Sequence, residues 1–245
     1  MTDDAKQAAH ALGAEVKTQA KILGGFVGLL WVIQIVNAVL GQSLDVFGVH
    51  PRSIFGLVGV VFAPLLHASF THLIANTLPL LVLGWFVMLR RTRDWFTVSA
   101  LAALVGGLGT WLIGSAQSVH VGASVLIFGY LGHLLSRGIF ERKVWPILGS
   151  IAVFLMYGGA LWGVMPGQIG ISWEGHLFGF LGGVLAARFL RDRALASGTA
   201  APKATRSRIA APTRVAPPPV VDTTLEDEDD GVEADLARLR ASVRR

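Results

Sequence analysis

Residues 115–137 read SAQSVHVGASVLIFGYLGHLLSR and contain an apolar segment that is too short to cross a membrane. Counting back from Arg137, the segment reaches Ser124 after 13 residues, which is about 20 Å of α-helix. The hydrocarbon core of a bilayer is about 30 Å thick, so a helix that begins at Ser124 begins below the membrane surface. Residues 115–122 must descend to meet it. Irregular backbone at that depth needs protein or water around it, and we therefore expect a water-filled cavity above Ser124.

The composition indicates that a bilayer surrounds most of the chain. Apolar residues make up 53% of the 245 residues and charged residues only 15%, which is too little polar surface for a soluble protein of this size. The sequence contains no cysteine, which excludes disulfides and thiolate metal sites. The net charge is +5, but the basic residues lie in short connections and near the C-terminus. That distribution argues against a nucleic-acid partner.

Six apolar segments of nearly spanning length are separated by more polar connections. They cover residues 22–40, 72–89, 95–114, 124–136, 144–162 and 174–190. A transmembrane helix needs about 20 predominantly apolar residues, and most of the segments approach that length. The sequence therefore predicts an all-α integral membrane protein, with a six-helix bundle over residues 22–193 whose fourth helix is short and central.

Basic residues are distributed unevenly between the connections. Those that precede the first segment or follow the second, fourth and sixth are Lys6, Lys17, Lys21, Arg90, Arg91, Arg93, Arg137, Arg142, Lys143, Arg188, Arg191 and Arg193. The other three connections contain one basic residue, Arg52. Because short cytoplasmic loops carry an excess of Lys and Arg, we expect both termini in the cytoplasm and the bundle in the plasma membrane.

The regions outside the six segments have three different characters. The connection over residues 41–71 contains an apolar run, 54–62, that is too short to span and too hydrophobic for a solvated loop. We expect it to be a partly membrane-inserted element on the outer side. Residues 1–21 form a polar leader, and residues 194–245 are rich in Ala, Pro and Arg with an acidic run. This composition predicts a disordered cytoplasmic tail that is dispensable for chemistry.

Polar residues on three segments lie at nearly the same depth. His176 is 12 residues from Arg188, about 18 Å along a helix, and Asn76 is 14 residues from Arg90, about 21 Å. Both distances resemble the 20 Å calculated for Ser124. A serine, a histidine and an amide that converge under a cavity provide a nucleophile, its general base and a donor for an oxyanion.

Glycines predict that the fourth and sixth segments pack closely. Gly179 and Gly183 are four residues apart, a spacing of small residues that allows two helix backbones to approach. Gly129 and Gly132 lie on the fourth segment. Close packing is required if a serine on one helix is to reach a histidine on the other.

At these residues the sequence resembles the rhomboid family of intramembrane serine proteases. The matching motifs are His72-Leu-Ile-Ala-Asn76, Gly122-Ala-Ser124 and Gly175-His176-Leu-Phe-Gly179, with Gly183 four residues further on. Their order, their spacing and the six-span frame agree with the family over residues 22–190. The resemblance implies hydrolysis of peptide bonds in the transmembrane helices of membrane-protein substrates, without a metal or another cofactor.

The resemblance also implies a role for individual residues. Ser124 is the expected nucleophile and His176 its general base. His72, Asn76 and the backbone N–H of Ser124 are the expected oxyanion hole. Phe128, one helical turn after Ser124, takes the place of an aromatic residue that packs on the catalytic histidine. Gly122, Gly179 and Gly183 are the expected supporting glycines.

One departure from the family pattern supports an alternative. The family motif usually reads Gly-x-Ser-Gly, and Val125 stands where its final glycine would be. A branched side chain at that point would crowd the site, and a rhomboid-like pseudoprotease that binds transmembrane helices without cutting them is the second hypothesis.

Other membrane chemistries lack the residues that they need. The sequence has no His-Glu-x-x-His motif for a zinc protease, and none of the six segments contains an aspartate for an aspartyl dyad. A small ion-coupled transporter is the third hypothesis, but it would require intramembrane carboxylates, and Glu174 is expected at the interface. The remaining histidines are expected to be structural, with His67 interfacial, His133 a packing residue and His120 a loop residue without a function.

Overall fold

The computed structural model describes residues 2–168 and 170–199, and the side chains of residues 192–199 are outside that description. These residues form seven α-helices, which are α1 (Asp3–Val39), α2 (Gly59–Phe62), α3 (Phe70–Met88), α4 (Asp94–Ile113), α5 (Ser124–Glu141), α6 (Val144–Tyr157) and α7 (Trp173–Thr199). Within the described ranges there is no β-strand, and an isolated antiparallel bridge joins Val49 to His120. The predicted tail lies outside the described residues from residue 200 onward.

The all-helical membrane fold is confirmed. Helices α1, α3, α4, α5, α6 and α7 correspond to the six predicted segments, and α2 lies in the first connection. Within the described part of the chain, four helical stretches are long and apolar enough to cross a membrane. They are Asp3–Val39, Phe70–Met88, Asp94–Ile113 and Val144–Val164.

Three helix boundaries differ from the prediction. Helix α1 begins at Asp3, so the leader continues into the first segment, and Gln19 ties it to the end of α3 by donating to the Met88 carbonyl at 3.3 Å. Helix α5 continues to Glu141, because the Arg137 side chain pairs with Glu141 at 2.8 Å and stabilises one more turn. Helix α7 continues to Thr199, past the predicted end at residue 190.

Helix α5 occupies the centre of the bundle, as predicted. It contacts α3, α4, α6 and α7, and 11 of its 18 residues are buried. Helices α3 and α4 are longer, with 19 and 20 residues. The α-helical part of α6 has only 14 residues, but a 3₁₀ segment continues it to Val164. The buried Tyr130 hydroxyl lies 2.8 Å from Ser99 Oγ, which satisfies this polar group inside the bundle.

Glycines bring α7 into backbone contact with α5. A Cβ atom at Gly183 would collide with the Gly129 carbonyl oxygen, and one at Gly132 would collide with the Phe180 carbonyl oxygen. A Cβ atom at Gly179 would meet the Val125 carbonyl oxygen in the same way. Any side chain at these positions would force the two helices apart. The approach that the sequence predicted for the fourth and sixth segments is therefore present.

Helix α6 is held more loosely than its neighbours. Val153 is its one buried residue, and Leu155 and Trp145 are 78% and 82% exposed. Its polar link to α5 is Ser150 Oγ, which donates to the Leu134 carbonyl at 2.7 Å and accepts from the Gly138 N–H at 3.1 Å. Apolar exposure on this scale is what a lipid-facing helix requires.

The first connection is a chain of short helical turns that packs against α4. The 3₁₀ segments Ser43–Phe47, Phe55–Val58 and Ala63–Leu65 flank α2. Val60 lies against the backbone of Gly107, where an added Cβ would be 2.9 Å from the Val60 Cα. Ile54 and Val61 point outward and are 86% and 67% exposed. This pattern of one packed face and one apolar outer face fits the predicted membrane-inserted loop.

Candidate active site

One cavity holds all five side chains that the sequence proposed for chemistry. It encloses about 550 Å³ between the start of α3, the start of α5, the end of α6 and the start of α7. The proposed residues that line it are His72, Asn76, Ser124, Phe128 and His176. Ser124, His72 and His176 are each partly exposed, so the cavity that they line is open to water. The supporting glycines Gly179 and Gly183 lie behind it, in the contact between α5 and α7.

Ser124 is the first residue of α5, and the first connection fixes its position. The Gly122 N–H donates to the Ala63 carbonyl at 2.9 Å, and the Ala123 N–H donates to His67 Nε2 at 3.3 Å. Gly122 has a φ angle of +133°, a left-handed conformation that favours glycine. The chain thus turns sharply into the helix at Ser124. The N–H groups of a first helical turn lack helical acceptors and are available to bind negative charge.

His176 is held on two sides. Its Nδ1 lies 2.9 Å from the carbonyl oxygen of Gly163, and its ring stacks on Phe128 with centroids 4.0 Å apart and planes 11° apart. A carbonyl oxygen can only accept, so Nδ1 carries the proton and Nε2 is left with a lone pair. That tautomer is the one that a general base requires. Gly163 was not predicted from the sequence, because it acts through its backbone.

Ser124 and His176 line the same cavity, but they are not hydrogen-bonded to each other within the described residues. Among the hydrogen bonds of the described residues, none joins Ser124 Oγ to the His176 ring. Catalytic hydrogen bonds are often long before substrate binds, so the separation is compatible with a dyad that closes on its substrate. The hydrogen bond between the two residues stays a prediction.

His72 and Asn76 present donors beside Ser124. A Cβ atom on Gly122 would lie 3.0 Å from His72 Nε2 and 3.6 Å from Ser124 Oγ, so the missing side chain lets these two groups converge. Ser69 caps α3 by accepting from the His72 N–H at 3.1 Å. Asn76 is 7% exposed, and its buried Nδ2 has no hydrogen-bond partner in the described part of the chain. An unsatisfied donor of this kind is costly and marks a place where a ligand oxygen can bind.

Val125 is absent from the lining of the cavity that contains His176, but it lines an adjoining pocket together with Gly122 and Ser124. Its side chain lies between α4 and α7, where a Cβ atom on Gly106 would collide with Val125 Cγ2. A Cβ atom on Gly179 would be 3.1 Å from the same methyl group. The glycines on the two neighbouring helices thus accommodate the valine. Whether Val125 also crowds Ser124 stays a prediction, because the two residues line one adjoining pocket.

Two histidines that were expected to be structural, His67 and His120, form hydrogen bonds with residues near the cavity. His67 is fully buried and its Nε2 accepts from the Ala123 N–H. Burial and, to a smaller extent, neighbouring His72 lower the pKa of His67 to about 3, which keeps the ring neutral and able to accept. His120 Nδ1 lies 2.7 Å from Ser172 Oγ, just before α7. Burial lowers the pKa of His120 and the nearby Glu174 carboxylate opposes that shift.

Glu174 and His133 are both buried, but of the two only Glu174 lines the cavity. Glu174 is 7% exposed and lines the cavity, so it is more buried than its expected interfacial position suggested. His133 is 2% exposed within α5 and lies outside the cavity lining, as a packing residue would.

Within residues 2–168 and 170–199, no group of three or more His, Cys, Asp and Glu side chains is arranged to hold a metal ion.

Comparison with known proteins assigns the family. Residues 55–193, more than half of the chain, match the Rhomboid domain. The chain belongs to the rhomboid family. The match begins within the first connection and ends within α7, and it therefore includes every residue that lines the cavity from α3, α5 and α7.

Similar chains occur in mycobacteria and in Bacillus. The uncharacterised protein Rv1337 of Mycobacterium tuberculosis is 48% identical over 173 residues, 67% of this chain and 72% of that protein. The uncharacterised protein ML1171 of Mycobacterium leprae is 42% identical over 192 residues, 73% of this chain and 76% of that protein. YdcA of Bacillus subtilis, named as a candidate rhomboid protease, is 32% identical over 124 residues, 49% of this chain and 61% of that protein.

Proposed function

We propose that this rhomboid is an intramembrane serine endopeptidase that uses a Ser124–His176 dyad. One observation carries the proposal. His176 is fixed with Nε2 unprotonated, in the same cavity as Ser124 and the unpartnered Asn76 amide. A general base needs a ring nitrogen that is free to accept a proton. His67 and His133 also have a ring nitrogen without a partner among the described residues, but neither lines the cavity with Ser124, so the shared cavity distinguishes His176.

The reaction follows from the donors and acceptors around Ser124. His176 Nε2 takes the proton of Ser124 Oγ as the oxygen attacks the carbonyl carbon of the scissile peptide bond. The resulting oxyanion accepts hydrogen bonds from His72, Asn76 and the N–H of Ser124. His176 then gives its proton to the leaving amine, and an acyl-enzyme ester remains on Ser124. Water, deprotonated by His176, hydrolyses the ester and regenerates the hydroxyl.

The proposed substrate is the transmembrane helix of another membrane protein, and it enters between α3 and α6. The cavity is lined from α3 by Pro79 and Leu83, from the end of α6 by Tyr157, and from the 3₁₀ segment that follows it by Ala160. Helix α6 has one buried residue, so most of its surface is already available to lipid. Moving α6 away from α3 therefore exposes little additional surface. This supports lateral entry from lipid, with water entering from the outer side.

The orientation and the domain limits are proposed from the sequence. We place the arginine-rich connections and both ends of the chain in the cytoplasm, and the Ser124 end of α5 toward the outside of the plasma membrane. Residues 22–193 form the catalytic bundle in this proposal. Residues 194–245 lie outside it and are not needed for cleavage.

A pseudoprotease is the second candidate, because the structure lacks a hydrogen bond between Ser124 and His176 among its described residues. Such a protein would bind transmembrane helices in the same cavity without cutting them. Val125, which packs against Gly106 and lines a pocket with Ser124, is the sequence feature that supports this candidate.

Cleavage of a transmembrane reporter by the purified chain in liposomes separates the two candidates. Ser124→Ala and His176→Ala should each reduce cleavage to background, a loss of roughly 10⁴–10⁶-fold, and the double variant should lose no more. Ser115→Ala is the matched control, since Ser115 lines the same cavity and has no catalytic role in the proposal. No cleavage by the unaltered chain would favour the pseudoprotease, and full activity of Ser124→Ala would contradict the proposed dyad.

A further inference from the structure

A basic groove lies at the other end of α5 from Ser124. It encloses about 330 Å³ between the C-terminal end of α3 and the first half of α6, with α5 as its floor. Helix α3 contributes Leu89 and Arg90, α5 contributes Arg137, and α6 contributes Trp145 and Val153. The groove is therefore separate from the cavity that contains the proposed dyad.

Two arginines at the groove share one carboxylate oxygen. Arg90 Nη1 and Arg137 Nε each lie 2.8 Å from the same Glu141 Oε1. The three side chains are only 18%, 20% and 13% exposed, so the pair of guanidinium groups is partly desolvated. The Asp94 carboxylate also interacts electrostatically with both arginines. Each guanidinium has five N–H donors, and the remaining donors make no hydrogen bond among the described residues, so they are available to a bound anion.

The surrounding face carries an excess of positive charge. Residues 90–94 and 137–143 contain six basic residues and two acidic ones. The acidic residues are Glu141, which is already shared, and Asp94, which is 3% exposed at the start of α4. Asp94 and Glu141 offset two of the six positive charges, and the excess that remains on this face favours an anion as the ligand of the groove.

The rest of the groove is apolar and opens to the side of the bundle. Leu89 and Trp145 are 60% and 82% exposed, and Val153 forms the deep end. Tryptophan is enriched at the level of lipid headgroups, where its ring contacts chains and its N–H contacts water. The groove has charged residues at one end and an apolar space between two helices. A phospholipid, with its charged head and apolar chains, matches this arrangement more closely than a small soluble anion does.

We propose that this groove binds an anionic phospholipid, with the phosphate on Arg90 and Arg137 and an acyl chain between α3 and α6. The guanidinium groups supply charge-assisted hydrogen bonds to phosphate oxygens, and a headgroup that carries no cation leaves the phosphate charge to offset the basic residues. The site does not depend on the proposed protease activity. Its chemistry requires only the groove and its charges.

Native mass spectrometry of the full-length chain tests the site. The purified protein in detergent is titrated with phosphatidylglycerol or with phosphatidylcholine of the same chain length, and bound lipid is counted. Each arginine near an anionic surface contributes about fivefold in affinity, so Arg137→Gln should weaken phosphatidylglycerol binding by about that factor. Arg93→Gln is the matched control, because Arg93 lies in the neighbouring α3–α4 connection and does not line the groove.

Glu141→Gln gives the opposite expectation and keeps both arginines in place. Removing the competing carboxylate should strengthen phosphatidylglycerol binding, even if Arg137→Gln proves too unstable to purify. Soluble glycerol phosphate should not displace the lipid, because the groove binds the chain as well. Equal binding of the two lipids, equal losses in Arg93→Gln and Arg137→Gln, weaker binding by Glu141→Gln, or displacement by glycerol phosphate would overturn the proposal.

Discussion

The contact between α5 and α7 and the gap between α3 and α6 differ in almost every physical respect. In the first, glycine backbones touch, so that a Cβ atom at Gly183 would collide with the Gly129 carbonyl oxygen. In the second, two cavities of about 550 and 330 Å³ lie along one side of the bundle, and Val153 is the one buried residue of α6. The same bundle is rigid on one side and open on the other.

This difference fits two separate tasks in the proposed mechanism. The contact between α5 and α7 holds the proposed catalytic residues, and the gap between α3 and α6 is the proposed path for the substrate. Ser124 and His176 lie on α5 and α7, where close packing allows little relative motion. The residues that would admit a helix, such as Leu83 and Tyr157, lie on α3 and at the end of α6. A catalytic geometry tolerates errors of about an ångström poorly, whereas an entry path needs elements that separate at low cost.

Asn76→Ala has the largest effect among the changes outside the dyad. Turnover should fall about 10²–10³-fold with little change in KM, because the amide interacts with charge that exists only in the transition state. Thr77→Ala is the control on the same helix, where Thr77 Oγ1 donates to the Leu73 carbonyl at 2.8 Å. Steady-state cleavage in liposomes provides both constants. An unchanged turnover in Asn76→Ala would remove this residue from the oxyanion hole.

Gly163→Ala tests whether the segment after α6 positions the base. The added methyl would lie 2.9 Å from Phe128 Cζ and 3.0 Å from His176 Nδ1, so it would push on the stacked pair. We expect turnover to fall by about 10–10²-fold, since displacements of about an ångström can cost that much. Gly159→Ala in the same 3₁₀ segment has no atom within 4 Å and should retain full activity. Equal activity of the two variants would contradict a positioning role for Gly163.

Gly183→Ala and Gly149→Ala compare the two regions directly through stability. At Gly183 the methyl group meets backbone that cannot move aside, and we expect a loss of about 1–3 kcal/mol. At Gly149 on α6 there is no atom within 4 Å, and alanine should stabilise the helix by about 0.5–1 kcal/mol. Reversible unfolding in mixed micelles measures both values. Similar results for the two variants would show that the contact between α5 and α7 is not the rigid part of the bundle.

Val125→Gly should have the smallest effect on activity. Removing side-chain atoms that fill the space beside Gly106 should destabilise the fold by roughly 1.5–3 kcal/mol, with no gain in turnover. Gly106→Ala should be less harmful in the Val125→Gly background, because the methyl that it meets is gone. A double-mutant cycle of unfolding free energies measures this coupling. Higher turnover in Val125→Gly would show that the valine side chain hinders the chemistry at Ser124.

The sequence predicted the features that depend on spacing along one helix. The start of α5 at Ser124 followed from counting residues back from a charged end, and the six-helix frame followed from hydropathy and length. The glycine contact between α5 and α7 followed from the four-residue spacing of Gly179 and Gly183. These patterns repeat with the helical period, so they are visible without tertiary structure.

The features that were missed depend on contacts between distant loops or on backbone atoms. The Gly163 carbonyl orients His176 but has no side chain to reveal it. His67 accepts from Ala123, which is 56 residues away in the sequence, and His120 contacts Ser172, which is 52 residues away. The contact of Val125 with Gly106 was also missed, because it depends on where α4 lies.

Covalent labelling tests the central claim, that His176 makes Ser124 a nucleophile. The full-length chain in liposomes is treated with a fluorophosphonate, and the modified residue is mapped by mass spectrometry. The account predicts an adduct on Ser124 that Ser115→Ala leaves intact and that His176→Ala reduces to background. No adduct on Ser124, or labelling of Ser124 at an unchanged rate in His176→Ala, would contradict it.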